Sequence, residues 1–122
     1  MSPLFFSLNR MRRIQHRVDH HALLVASQEM MRNRLTYKTK TFESPPEVSN
    51  IELTDRSVPM IIRCLRPSYI VVSDDVMTIE MGGGFGHYGV VAFVQGNDAT
   101  NRIPGWGQKK RKLIEGLWYY SD

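Results

Sequence analysis

A single cysteine, Cys64, excludes an intramolecular disulfide framework and points to a reducing compartment. No apolar run approaches the roughly 20 residues that a membrane-spanning helix needs. The short apolar stretch Pro3 to Leu8 has its arginines after it, whereas a secretory signal carries its charge first. The sequence also lacks a phosphate loop, because Gly82 to Gly86 has no following Lys-Ser/Thr and opens no helix. Internal repeats and low-complexity tracts are missing as well. These absences predict an ordinary cytoplasmic domain without a membrane partner.

Charge is present but unevenly spread. Residues 1–40 hold eight Lys or Arg against Asp19 and Glu29, while residues 41–122 hold eight against ten acidic residues. Residues 1–18 carry Arg10, Arg12, Arg13 and Arg17 and no acid. They read as a flexible basic leader, with Met11 an alternative start, ahead of one domain over 19–122. The 42% hydrophobic and 23% charged composition is that of a globular chain with room for one modest core.

From Asp19 to Arg34 apolar side chains recur at helical spacing: Leu23, Leu24, Ser27, Met30, Met31 and Leu35 share one side. Thr36 to Phe42 suits an edge strand or extended connector, and Ser44-Pro45-Pro46 breaks the chain. A short helix follows, capped at Ser57, with Pro59 in its first turn and Pro67 as its stop. Cys64 on that helix reads as a small buried hydrophobe.

Three strands come next, Tyr69 to Ser73, Val76 to Met81 and Phe85 to Val94. With Asp74-Asp75 and Gly83-Gly84 as two-residue loops, Tyr69 pairs with Glu80, Glu80 with His87, Ile79 with Tyr88 and Met77 with Val90. Ile70, Val72, Met77, Ile79, Met81, Tyr88, Val90 and Ala92 then form one apolar face for the long helix. Tyr69, Val71, Ser73, Val76, Thr78, Glu80, His87, Gly89, Val91 and Phe93 share the other, expected to be partly solvated or lightly covered. Gly96 to Gly107 reads as a loop around Trp106, and Lys109 to Lys112 leads into a final strand, Leu113 to Tyr120. The predicted fold is therefore α+β: an antiparallel sheet of about four strands with one long N-terminal helix and one short helix on one face.

Glu80 beside His87 has the makings of an acid/base pair, with Tyr69 as a further donor; the same contact also suits a plain cross-strand charge pair. His16 and His20 are four apart, but too few other ligands accompany them for a metal site. Neither a metal nor a cofactor is predicted. The favoured function is a small non-enzymatic binding or protein-interaction domain that meets a protein partner, or a second copy of itself, through Tyr69, Glu80, His87, Phe93 and Trp106. One alternative is nucleic-acid binding through Lys109, Lys110, Arg111 and Lys112 with Trp106 and Trp118. The other is a small hydrolase or lyase with His87 as base and Glu80 as its orienter.

Overall fold

Turn chemistry sets the sheet. The computed structural model describes residues 18–40, 48–82, 86–94, 103 and 109–121. Six strands form one antiparallel sheet: β1 (Ser49–Asn50), β2 (Tyr69–Val72), β3 (Val76–Glu80), β4 (Tyr88–Phe93), β5 (Lys109–Ile114) and β6 (Leu117–Ser121). Their spatial order is β1-β2-β3-β4-β6-β5, so the last hairpin inserts β6 beside β4 and leaves β5 at the edge. Helices α1 (His20–Arg32) and α2 (Met60–Arg63) complete an α+β fold with more strands than predicted. Most of the leader 1–18 and the Ser44-Pro45-Pro46 break lie outside the described residues.

Asp74-Asp75 forms the expected two-residue turn. The Ser73 N–H donates to Val76 O at 2.9 Å, and Tyr69↔Glu80, Ile70↔Ile79 and Val72↔Met77 pair as the turn requires. The next connection is longer than predicted. Glu80 lies opposite Gly89 rather than His87, and Ile79 opposite Val90. Both Met81 and Gly82 donate their N–H groups to Tyr88 O, at 2.8 and 3.2 Å. The glycines are needed beyond a tight turn: a Cβ on Gly82 would come within 2.2 Å of the Gly86 carbonyl oxygen, and Gly86 has φ 130°. Gly83-Gly84 itself lies outside the described residues. A slip of two residues preserves the side-chain alternation, so no residue changes face.

The eight residues predicted for the apolar face are all buried in one cluster, joined by Leu117 and Tyr119. Helix α1 covers them with Leu23, Leu24, Met30 and Met31, each burial contributing about 1.5–3 kcal/mol. Asp19 caps the helix by accepting from the Ala22 N–H at 3.0 Å. The stripe stops sooner than predicted. Asn33 ends α1, and the 3₁₀ turn Arg34–Thr36 rotates Leu35 outward to 82% exposure. Arg34 takes the inward position and reaches Asp74 at 3.1 Å and Ser49 Oγ at 3.3 Å.

Two further expectations change. Helix α2 is a single turn with Pro59 at its start; the Ser57 hydroxyl donates to Asp55 instead of capping, and Cys64 is exposed beyond the last turn. The final strand is a hairpin, because Glu115-Gly116 reverses the chain, with Gly116 at φ 86° and a register shift between Lys112 and Ile114.

The second face of the sheet is not bare. Ile103, from the long Gly96 to Gly107 stretch, is buried against Val91, Phe93 and Tyr120, with Val76 and Trp118 at the margin. Val91 and Phe93 are fully buried, which corrects their predicted role as an exposed contact surface. The Ile103 side chain covers them.

Candidate functional site

One row of residues runs across this second face. Tyr69 on β2 pairs with Glu80 on β3, Glu80 with Gly89 on β4, Gly89 with Tyr120 on β6, and Tyr120 with Lys110 on β5. In antiparallel pairs, directly opposed residues share a face. The glycine in the middle decides the geometry. A Cβ at position 89 would lie 2.9 Å from the Tyr120 hydroxyl, so only glycine leaves the path from Tyr120 to Glu80 open.

Glu80 is the centre of the site. Its side chain is 1% exposed. Oε2 accepts from the Tyr120 hydroxyl at 2.8 Å and, more weakly, from the Tyr69 hydroxyl at 3.4 Å. Oε1 has no hydrogen-bond donor and stands 3.6 Å from Nδ1 of His87, within ion-pair range. The imidazole is half exposed, so it forms the solvent side of an otherwise enclosed group. Ser68 fixes the backbone at the same point, its N–H and hydroxyl donating to Glu80 O at 2.7 and 3.1 Å and its hydroxyl also bonding Gly82 O at 3.0 Å.

Burying a carboxylate costs several kcal/mol unless donors compensate, and a hydrogen bond to a charged group contributes about 1.5–3 kcal/mol. Tyr120 is well suited to that task. Burial, then its bond to Glu80, pushes its phenol far above the ordinary tyrosine value, so it remains a donor at any physiological pH. Burial and the Glu80 charge raise Tyr69 in the same way. Neither phenol is placed to act as a base.

The structure thus brings together Tyr69, Glu80 and His87, although His87 precedes β4 instead of pairing within it. Phe93 shares their face but lies four residues further along β4 than Gly89, packed against Ile103. Trp106 lies outside the described residues. Lys109, Lys110, Arg111 and Lys112 are exposed on β5, the edge strand. Tyr120 is the member that sequence reasoning missed. Its signal was the alternation Leu117-Trp118-Tyr119-Tyr120, which places Trp118 and Tyr120 on one side, but the partner strand was not evident.

Compared with family models, curated proteins and solved structures, the chain matches none. Among the described residues no helix is long and apolar enough to cross a membrane. No group of three or more His, Cys, Asp or Glu side chains among them is arranged to hold a metal ion, and His16 lies outside them.

Proposed function

We propose that this chain is a small binding or interaction domain that takes its ligand or protein partner at the Glu80 end of the sheet. One atom carries the reading: Oε1 of Glu80, a buried carboxylate oxygen without a hydrogen-bond donor. More than about 90% of buried polar groups find partners, and an unsatisfied one costs about 1–3 kcal/mol. A ligand bringing an N–H or cationic group past His87 relieves that cost. Ammonium and guanidinium groups, free or on a partner's Lys or Arg, have this chemistry. A reducing, cytoplasmic setting belongs to the same proposal, since Cys64 is exposed as a free thiol.

The test is an NMR titration of the full chain with methylammonium and N-methylguanidinium. Saturable shifts of the His87 and Tyr69 signals, abolished in Glu80→Gln, are expected. Signals that stay still, or that move equally in Glu80→Gln, would overturn the proposal.

A half-exposed imidazole beside an enclosed carboxylate also favours a second reading, a small hydrolase or lyase with His87 as base and Glu80 orienting it. Turnover of p-nitrophenyl acetate above that of His87→Ala supports this alternative, and equal rates eliminate it.

A further inference from the structure

The edge strand β5 reads Lys109, Lys110, Arg111, Lys112 before its apolar end, and all four cations are exposed. Strand alternation sends Lys110 and Lys112 to the side of Tyr120 and Trp118, and Lys109 and Arg111 to the opposite side. Same-side neighbours are therefore spaced by roughly 6.6–6.8 Å, two strand rises. Lys112 pairs with Glu115 across the turn. No described ion pair involves Lys109, Lys110 or Arg111.

Lysine on an edge strand discourages strand addition, and one or two suffice for that. Four consecutive cations go further, because neighbouring like charges repel at a cost that edge protection does not require. Beside them, Trp118 is half-buried opposite Lys112, with its indole N–H buried and without a hydrogen-bond partner, so that only another part of the ring is left to a ligand. A linear row of positive charge flanked by a flat ring matches the two demands of an extended polynucleotide, backbone neutralisation and base stacking.

We propose that β5, together with Trp118, binds single-stranded nucleic acid, a site separate from the Glu80 cluster and independent of it. The phosphodiester backbone runs along the sheet edge, where Lys110 reaches it from the Trp118 face and Lys109 and Arg111 from the other, and a base stacks on the half-buried Trp118. An acidic peptide added to the edge as a strand fits less well. Its side chains would alternate between faces, so meeting cations on both would require acid at every successive position. A phosphodiester carries one charge per nucleotide without any such sequence requirement.

The experiment is fluorescence anisotropy of a labelled oligothymidylate with the full chain over a salt series. Three phosphate contacts predict a log–log salt slope of about −2, since each contributes about 0.7 for single strands. Lys109→Gln/Lys110→Gln/Arg111→Gln, all at exposed positions, should flatten that slope and weaken binding about tenfold or more at low salt. Tryptophan fluorescence quenched by the oligonucleotide in the parent chain, and not in Trp118→Phe, should report stacking. The proposal is overturned by an unchanged slope in the triple variant, or by loss that follows Arg10, Arg12, Arg13 and Arg17 instead. It is equally overturned if polyglutamate competes as well as oligothymidylate, or if duplex of equal length binds as tightly.

Discussion

Tyr120 and Glu80 sit on strands that are not neighbours, yet their side chains meet at 2.8 Å because the strand between them offers a glycine at the crossing. Gly89 pairs with both residues at once. Its missing side chain is thus part of the site. The backbone there is also tightly enclosed: a Cβ would fall 2.1 Å from Ile79 O and 3.1 Å from the Glu80 Cα.

Gly89→Ala is accordingly expected to destabilise the fold by about 3 kcal/mol, the upper range for overpacking a filled interior, since a main-chain carbonyl cannot swing away as a side chain does. It should also disturb the Tyr120 hydroxyl. Urea unfolding measures the first effect and the NMR signals of the Tyr120 ring the second. Stability within about 0.5 kcal/mol of the parent would mean that the strands separate easily at this point.

How much of this was legible in the sequence follows from which contacts are local. Alternation along Ile70, Val72, Met77 and Ile79 identified the core face, and Asp74-Asp75 fixed the β2–β3 register, because both signals lie within a dozen residues. The β3–β4 register was ambiguous: Gly82, Gly83, Gly84 and Gly86 permit several loop lengths, and close packing of Gly82 on Gly86 selected a longer one. Faces survived the error through strand parity. The pairing of β6 with β4 depends on an order no local pattern encodes, which hid Tyr120. Ile103 was invisible for a related reason, as a lone apolar residue in an aperiodic stretch gives no sign of what it covers.

Alkaline pH should unfold the protein through its tyrosines. Burial pushes the Tyr119 phenol up to about 12, and Tyr120 is raised further in the same direction by burial and by Glu80. In the unfolded chain a phenol ionises near 10. Between those values the folded state holds more protons than the unfolded state, so stability is intact below about pH 10 and declines as pH rises above it. Phenolate absorbance near 295 nm and far-UV circular dichroism should therefore show the last tyrosines ionising together with loss of structure. All five tyrosines titrating near 10 with unchanged circular dichroism would contradict the burial described.

Acid acts through a different residue. The Asp55 carboxylate accepts from the Ser57 hydroxyl, from the Ser57 N–H at 2.9 Å and from the Lys38 N–H at 2.8 Å, tying the segment after α1 to the turn before α2. The Ser57 hydroxyl bond, then these backbone donors, hold its carboxyl down at about 2. In the unfolded chain the same group titrates near 3.9. A depressed carboxyl favours folding fully above the unfolded value, and that contribution fades as pH falls through about 4 towards 2. Asp55→Asn should hence lower the melting temperature at pH 7, where the charge is present, and the gap from the parent should close near pH 2. A gap that persists unchanged at low pH would show that the residue acts by shape and neutral hydrogen bonding, with the charge contributing nothing to the tether.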